Sequence, residues 1–493
     1  MKFKMKKVVG VLLACSLVLP LGSCGKKEDD VPVITWYMQK PIDNMSDQKL
    51  VEDAANKIIE KEIGAKLEFH FFDSASYNDK MNVMISAGEE FDICMTNSWT
   101  NDFLGNVKKG SFLEITDLLN KYGKDILAKT DSTILENFKI NGGIYGVKSQ
   151  SPISSTRSRV FKKDLVEKYN FDYKNADTLD KLEPYLKTIK ENEPEMTPAL
   201  VTGKSPLSDV VTDRYTDDSI AGMYFDEQSD VYEEILDIPE MIEKYKKYND
   251  FYKKGYIKSN APTITETMSE AKSGNYAVMN CTGNYDETGK KSSDVYGFPC
   301  VETYIGQTVI GTGNLFDAIN AISITSKHPE KAVELLNLIW KNRDLSNLLA
   351  YGIEGIHYTV NEERSKEIGD KSVTPKTGSE QTWAIWHNWI GPLWEQWDST
   401  WNTKEALEKF QKINKTAKVS KTLGFVFDTD PVKTECAQVK AVMEEITPVL
   451  NTGSMPNFDE YIQKCQSKLK ASGIEKIKAE ANKQFKQWEK NKK

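Results

Sequence analysis

The sequence predicts an α/β protein built from two lobes. Predicted strands and helices alternate from Val31 to Met95, and a similar alternation returns between residues 276 and 342. Such alternation favours parallel strand pairing, because each helix between two strands covers a face of the sheet. The chain has 493 residues, of which 39% are hydrophobic, so it is long enough for two or three domains with substantial cores.

The first predicted lobe begins with three strands separated by two helices. VPVITWYM (31–38) and AKLEFHFF (65–72) alternate with the period of a strand, and FDICM (91–95) is a short apolar run typical of a buried strand. Apolar residues recur with helical period from Ser46 to Ile63, and a second helix is predicted from Tyr77 to Ser86.

The later part of the chain repeats this arrangement. RVFKKDLVEKY (159–169) and TLDKLEPYLKTIKEN (178–192) predict amphipathic helices, the second with Thr178 as its N-cap. YAVMNC (276–281) and INAISIT (319–325) predict strands, and HPEKAVELLNLIWKN (328–342) predicts a helix. The last predicted helix ends in a lysine-rich turn, which suits the negative end of the helix dipole.

The amino terminus predicts a secretory signal over residues 1–23. MKFKMKK is positively charged, and the apolar run from Val8 to Leu21 is about 14 residues long, shorter than the roughly 20 needed to cross a bilayer. Leu21, Gly22 and Ser23 precede Cys24, and this resembles the lipobox of bacterial lipoproteins, which implies a lipid on the sulfur of Cys24. Residues 24–32 would then be a lipidated tether holding the protein at the outer face of the cell membrane.

The amino-acid composition restricts the kinds of partner and cofactor that the protein is expected to bind. Removal of residues 1–23 deletes four lysines and no acid, which takes the formal charge from −8 to about −12. An acidic surface argues against nucleic acid or anionic lipid as a partner. The five cysteines beyond Cys24 lack paired spacing and the four histidines are scattered, so neither a disulfide, a cofactor nor a metal site is predicted.

Several stretches, in their order along the chain, resemble one family. They are SAGEEFDICMTN (86–97), NGGIYGVKS (141–149), SGNYAVMNCTGNY (273–285), AISITSKHPEKAVELLNLIW (321–340), YGIEGIHYTV (351–360) and LGFVFDTDPVKTECAQV (423–439). The resemblance is to the extracellular solute-binding proteins of ABC importers, in the branch that binds sugars. Within that branch it points to a lipoprotein subgroup with a carboxy-terminal domain of uncharacterised role.

The resemblance implies a periplasmic-binding-protein-like fold whose two lobes close on a ligand by a hinge motion. Lobe one would hold 31–147 and 320–375, and lobe two 150–317 and 376–493 with a helical carboxy-terminal region. The implied function is a monomeric receptor that captures an oligosaccharide and delivers it to ABC permease subunits. Lys148 stands where the family has proline, so the first crossing segment is expected to be less stiff.

A sugar site needs planar aromatic rings for stacking and a few amide or carboxylate groups for directed hydrogen bonds. In this fold the cleft lies at the carboxyl ends of the strands. The candidates there are Tyr37 at the end of the first strand, Asn97, Trp99 and Asp102 after the third, and Asn284 and Tyr285 after YAVMNC. Only one of Trp36 and Tyr37 can face the core, and Trp99 stands in a polar loop without a packing reason.

Six tryptophans between 383 and 401 form an ambiguous cluster. At 100° per residue they share an arc of about 140°, the stripe of a buried amphipathic helix. Gly391 and Pro392 should interrupt that helix, and in the family the corresponding segment lines the cleft. Trp383 and Trp386 are therefore predicted as stacking platforms, while Trp394, Trp397 and Trp401 are assigned to packing.

Other functions stay open from the sequence. A surface glycoside hydrolase would also be exported, acidic and rich in aromatic residues, but 73 acidic residues nominate no catalytic pair. A peptide receptor and a purely adhesive lipoprotein are further alternatives. No enzyme motif is present: Gly203, Lys204 and Ser205 read GKS, yet Pro198 occupies the position of the first Walker A glycine.

Overall fold

The computed structural model describes residues 31–492 apart from 152, 154, 208, 210–213, 217–219, 265 and 283–288. The predicted signal peptide (1–23), the lipidation site Cys24 and the predicted ligand residues Asn284 and Tyr285 lie outside the described residues. The described chain forms two five-stranded sheets, each beside a large hydrophobic core.

The first sheet has the strand order β2-β1-β3-β12-β4. Its strands are β1 (Val33–Gln39), β2 (Lys66–Phe72), β3 (Ile93–Thr96), β4 (Val147–Lys148) and β12 (Ile319–Ile322). β1 pairs in parallel with β2 and β3, whereas β12 runs antiparallel to β3 and β4. The predicted order of strand, helix and parallel strand is confirmed for this part of the chain.

Helices cover the first sheet and form the first lobe with it. They are α1 (Gln48–Ile63), α2 (Ser74–Ala87), α3 (Phe103–Lys108), α4 (Thr116–Tyr122), α5 (Lys124–Lys129), α6 (Ser132–Asn137), α13 (Pro329–Lys341), α14 (Arg343–Tyr351), α15 (Glu362–Ile368) and α16 (His387–Ile390). A small sheet of β13 (Tyr358–Val360), β14 (Ser372–Pro375) and β15 (Asp398–Ser399) lies beside them.

The second sheet has the order β16-β11-β5-β10-β6. Its strands are β5 (Ser155–Lys162), β6 (Thr197–Ala199), β10 (Tyr276–Thr282), β11 (Cys300–Ile310) and β16 (Lys418–Val419). The prediction that RVFK (159–162) begins a helix is wrong. These residues end β5, where Val160 and Phe161 are buried between β10 and β11, and the helix begins only at Lys163.

The second lobe contains this sheet, a small sheet and several helices. The small sheet is formed by β7 (Tyr215–Thr216), β8 (Met223–Asp226) and β9 (Val231–Glu234). The helices are α7 (Lys163–Lys168), α8 (Leu179–Asn192), α9 (Pro239–Lys253), α10 (Thr267–Lys272) and α11 (Lys290–Tyr296), and α12 (Thr312–Leu315) lies where the chain returns to the first lobe. Thr178 caps α8 as predicted, since its hydroxyl accepts a hydrogen bond from the Lys181 amide at 3.2 Å.

The carboxy-terminal region is helical, as predicted. It comprises α17 (Lys404–Thr416), α18 (Lys433–Thr452), α19 (Phe458–Ala471) and α20 (Ile474–Lys492). Residues of the last three helices, among them Val439, Leu469 and Phe485, belong to the same core as Phe161 and Tyr248 of the second lobe. The carboxy-terminal helices are therefore packed into that lobe.

One predicted boundary is corrected by the packing. Trp383, Ile385, Ile390 and Trp397 lie in the core of the first lobe, although the sequence placed everything after 375 in the second lobe. The third crossing between the sheets occurs later, between β15 in the first lobe and β16 in the second. Within the described ranges, no helix has both the length and the apolarity that a membrane crossing requires.

Candidate functional site

The carboxyl end of the first sheet brings several chain segments together. Thr96 at the end of β3 pairs with Ile319, and Ile319 pairs on its other side with Lys148 at the end of β4. The loop after β3, the crossing segment after β4 and the segment that enters β12 therefore meet at one edge. This is the edge at which open α/β sheets bind their ligands.

Trp99 stands in the loop after β3, as the sequence predicted, and its side chain is exposed. Its exposed fraction is 60%, and its indole Nε1 donates a hydrogen bond to Asp317 Oδ1 at 2.9 Å. Asp317 lies two residues before β12, so this bond fixes the indole to the segment that enters β12. An indole held in place with its ring in solvent is suited to stacking on a planar or apolar face of a ligand.

Asn97, two residues before Trp99, is buried, and the N–H donors of its side-chain amide are unused within the part of the chain that the structure describes. Its Oδ1 accepts a hydrogen bond from the Ala318 amide at 2.5 Å, while its Nδ2 has no partner among the described residues. The side chain is only 1% exposed. A buried amide with a free N–H donor is costly unless a ligand or water accepts from it.

Lys148 is buried at the same edge. Its Nζ donates to the Asp317 carbonyl at 2.7 Å and to Ser151 Oγ at 3.0 Å. Burial lowers the pKa of Lys148 to about 8, against the opposing effect of the Asp317 carboxylate. These bonds tie the first crossing segment to the segment that enters β12, a role that the sequence did not reveal.

The segment 382–394 crosses the same edge and is fastened at three points. Thr382 Oγ1 donates to Asp47 Oδ2 at 2.5 Å, Asn320 Nδ2 donates to the Trp389 carbonyl at 2.7 Å, and the Trp394 amide donates to Gln150 Oε1 at 3.1 Å. The segment is not a continuous helix, because α16 ends at Ile390 directly before Gly391 and Pro392. The predicted interruption at these two residues is thus observed.

Trp386 is half-buried in this segment. Its ring centroid lies 5.5 Å from that of Trp401, which is also half-buried, and the planes are inclined at 60°. Trp389 is half-buried as well. Trp389 and Trp401 both pack against the core of the first lobe, which agrees with the assignment of Trp401 to packing.

The structure contradicts the prediction that Trp383 is a stacking platform for the ligand. Its side chain is only 2% exposed, its ring packs against Phe69 and Phe71, and its Nε1 donates to the Leu349 carbonyl at 2.9 Å. Residues 381–386 are not helical, and the prediction of Trp383 as a platform, which rested on the family's corresponding segment lining the cleft, is not supported by its burial. Trp383 belongs to the core and presents no face to a ligand.

Tyr37 lies in a cluster of aromatic side chains on the first sheet. Trp36 faces the core as one of the two had to, but Tyr37 stacks on His70 at 4.5 Å and meets Phe91 edge-on at 5.7 Å. The ring also lies 5.7 Å from that of Phe72, the last residue of β2. Tyr37 is thus half-buried among aromatic rings, and its prediction as a ligand residue stays a prediction.

Asp102 has a structural task at this edge. Its carboxylate caps α3 by accepting a hydrogen bond from the Gly105 amide at 3.2 Å. The side chain remains exposed. Its prediction as a ligand residue stays a prediction.

Comparison with known proteins identifies the family. Residues 43–339 match the family of bacterial extracellular solute-binding proteins, and residues 421–490 match a domain of unknown function, DUF3502. A carbohydrate ABC transporter substrate-binding protein of Streptococcus pneumoniae serotype 4 is 30% identical over 98% of this chain and 96% of its own length. The chain belongs to this solute-binding family.

Other relatives of this solute-binding protein agree with the assignment. The polygalacturonan/rhamnogalacturonan-binding protein YtcQ of Bacillus subtilis is 25% identical, with 76% of this chain and 75% of YtcQ covered. A crystal structure of the N-glycan transport solute-binding protein NgtS from Streptococcus pneumoniae is 28% identical, covers 94% of this chain and 100% of that one, and has a TM-score of 0.82. The structure of NgtS in complex with Man5GlcNAc covers 94% of this chain and 99% of the NgtS chain, and has a TM-score of 0.69.

A cavity of about 490 Å³ lies along the crossing segments of the solute-binding protein, and neither Asn97, Trp99 nor Trp386 lines it. Its lining includes Lys148, Gln150, Ser151, Trp394, Asn414 and Val419. Volumes of this size are ordinary for small-molecule sites. The sequence missed Gln150 and Asn414 because neither follows a strand that the periodicity had identified.

Proposed function

We propose that this solute-binding protein captures an oligosaccharide between its lobes and delivers it to an ABC permease. The observation that carries this is Trp99, a 60% exposed indole fixed by Asp317 at the carboxyl edge of the first sheet. Packing does not account for so exposed an aromatic ring, whereas the C–H face of a sugar stacks on such a surface.

Neighbouring groups fit the same ligand chemistry. The half-buried indoles of Trp386, Trp389 and Trp401 supply additional flat apolar surface, and the free Nδ2 of Asn97 supplies a directed donor for a hydroxyl oxygen. Asp102 offers an exposed carboxylate that can accept a hydrogen bond from a hydroxyl. Few charges and several aromatic rings are the composition expected for a neutral sugar.

The relatives narrow the sugar class. NgtS is described as an N-glycan transport protein and has complexes with Man5GlcNAc and Man1GlcNAc. Mannose-containing N-glycan fragments are therefore the first sugars to test. The lower TM-scores to the two complexes, 0.69 and 0.71 against 0.82, support a lobe arrangement that changes when glycan binds.

Anchoring and delivery complete the proposal. Lipidation at Cys24 would hold the receptor at the outer face of the membrane, and the charged residues after it would act as a tether. The protein would work as a monomer and hand intact sugar to permease subunits, while a separate ATPase drives transport. Capture by lobe closure requires contacts that form only in the closed state.

The direct test is a thermal-shift screen with N-glycan fragments, plant oligosaccharides, peptides and amino acids. A ligand at 100 times its dissociation constant should add about 2.7 kcal/mol to the free energy of unfolding. We expect one oligosaccharide class to raise the melting temperature and to be recovered uncut by mass spectrometry. Cleaved sugar would establish the hydrolase alternative, and a shift with peptides alone would overturn the ligand class.

Replacing Trp99 with alanine is expected to weaken oligosaccharide binding by about 10–100-fold, because stacking on an aromatic ring contributes about 1–3 kcal/mol. The melting temperature of the free protein should stay unchanged, since the side chain is exposed. Trp99→Phe is the matched control: it keeps a planar ring, loses the bond to Asp317 and should retain most of the affinity. Isothermal titration calorimetry measures all three proteins, and equal affinity of wild type and Trp99→Ala would remove Trp99 from the site.

A further inference from the structure

A buried carboxylate without a partner lies where the second lobe meets the carboxy-terminal helices. Glu234 is the last residue of β9, and its side chain is 0% exposed. Neither of its carboxylate oxygens has a hydrogen-bond partner among the described residues. An ionised carboxylate in such a place is strongly unfavourable unless a cation pairs with it or a proton neutralises it.

Two further carboxylates point to the same spot. Oxygen atoms of Glu234, Asp237 and Glu475 all lie within 4.8 Å of one another. Asp237 belongs to the turn after β9, and Glu475 is the second residue of α20. Both are exposed, so the cluster is buried on the Glu234 side and open to water on the other.

We propose that Glu234, Asp237 and Glu475 bind one divalent cation of the calcium class, and that this ion fastens α20 to the second lobe. The donors are all oxygen atoms, which hard cations such as Ca²⁺ prefer, whereas zinc and copper favour nitrogen and sulfur. Three carboxylates supply up to six oxygen ligands when each binds through both atoms. Water can complete the shell on the exposed side.

Nearby basic side chains do not replace the cation. Lys478 Nζ is paired with Glu233 Oε2 at 2.5 Å, and Lys470 is exposed. Burial, followed by the charges of Asp237 and Glu475, raises the pKa of Glu234 to about 7 although both lysines act in the opposite direction. The two lysines therefore leave the cluster short of positive charge.

The turn after β9 already contacts the carboxy-terminal helices around this cluster, so the ion would bind to a preorganised site. Gln466 Nε2 of α19 donates to the Leu236 carbonyl at 2.8 Å, and Asp237 N donates to the Glu234 carbonyl at 2.9 Å. Ile474, adjacent to Glu475, is fully buried beside Gly222, where a side chain would clash with it. An ion at this position would bind only the folded chain, in which these distant segments meet, and would therefore stabilise it by mass action.

The test uses the full chain, freed of metal with a chelator, and titrates CaCl₂ and, separately, MgCl₂ by calorimetry and thermal melting. We expect one Ca²⁺ per molecule and a saturable rise in melting temperature at pH 8. Glu234→Gln should abolish both Ca²⁺ binding and the rise in melting temperature. Because this substitution removes a buried charge, the melting temperature of the metal-free variant should not fall below that of the metal-free wild type. Glu475→Gln, at an exposed position that cannot impair folding, should weaken Ca²⁺ binding at least about tenfold.

Glu489→Gln is the matched control, because it makes the same exchange at an exposed position on the same helix and should bind Ca²⁺ as wild type does. No binding up to about 10 mM of either ion, well above the weakest dissociation constants of extracellular calcium modules, would overturn the proposal. Equal Ca²⁺ affinity of wild type and Glu234→Gln would do the same. Oligosaccharide binding is measured separately, so either proposal can fail alone.

The pH dependence gives an independent readout. The pKa of Glu234 is about 7 when folded and near 4.5 when unfolded, so metal-free wild type should lose stability as pH rises from about 4.5 to 7. Glu234→Gln should lack this component. Ca²⁺ affinity should increase over the upper part of the same range, because the ion requires the ionised carboxylate. Affinity that does not change with pH would contradict a role for Glu234.

Discussion

Replacing Gly453 with alanine is expected to lower the free energy of unfolding by about 2–5 kcal/mol. Gly453 follows α18 with a φ of 69°, a left-handed conformation that costs an alanine about 1–2 kcal/mol. A Cβ atom there would also overlap the carbonyl group of Tyr248 and the amide nitrogen of Asn249. These atoms belong to the backbone of α9 and cannot move aside as the end of a flexible side chain can.

The contact at Gly453 joins the carboxy-terminal region to the second lobe. Asn249 Nδ2 donates to the carbonyl groups of Gly453 at 2.8 Å and of Met455 at 2.5 Å. Displacement of the turn to admit a methyl group would break both bonds and leave a buried amide unpaired, which adds to the cost. The strain is therefore expected to loosen the docking of α18 on α9.

Gly64→Ala is the matched control for this substitution. Gly64 ends α1 in the same left-handed conformation, with a φ of 63°, and nothing lies within 4 Å of the position of its Cβ. It should cost only the conformational term of about 1–2 kcal/mol. Urea unfolding measures both variants, and equal losses would show that α18 does not pack on α9 as described.

The same interface explains the GKS sequence that matches no phosphate-binding loop. Gly203 packs against Pro448 of α18, with a hypothetical Cβ only 2.8 Å from Pro448 Cβ, and its carbonyl accepts from Asn451 Nδ2 at 2.9 Å. The glycine is required for this close approach. The carboxy-terminal helices are thus an integral layer of the second lobe.

Features with local causes could be predicted from the sequence. β1 and α1 follow from alternation and helical period, and Thr178 was recognised as a cap because a cap depends on residues within one turn. Trp99 was identified because a large aromatic residue in a polar loop is locally anomalous. The parallel order of the first three strands followed from the alternation of strands with helices.

Features set by distant partners could not be predicted. Arg159–Lys162 have a helical pattern but form a strand, since β10 and β11 supply neighbours on both sides. Asn97 and Lys148 depend on Asp317 and Ala318, which are far away in the sequence. The carboxylates of Glu234 and Glu475 are brought together only by the docking of α20, so no spacing rule reveals them.

Replacing Trp383 with alanine is expected to lower the free energy of unfolding by about 3–5 kcal/mol, the usual cost of removing a large buried aromatic side chain. The substitution leaves a cavity beside Phe69 and Phe71 and leaves the Leu349 carbonyl without its indole donor. Urea or guanidinium unfolding of the first lobe measures the loss. Oligosaccharide affinity, measured where the variant is fully folded, should change less than it does in Trp386→Ala.

Trp386→Ala, three residues further along the chain, is expected to give the opposite pattern, with a smaller loss of stability and a larger loss of affinity. Its half-buried ring contributes less to the core, so it should cost less stability than Trp383→Ala, while loss of a stacking surface should reduce affinity about tenfold or more. The two variants distinguish a core residue from a ligand-binding residue, because Trp383→Ala should mainly lower the free energy of unfolding and Trp386→Ala should mainly lower the oligosaccharide affinity. If Trp383→Ala lost affinity at nearly unchanged stability, Trp383 would be a platform as the sequence predicted.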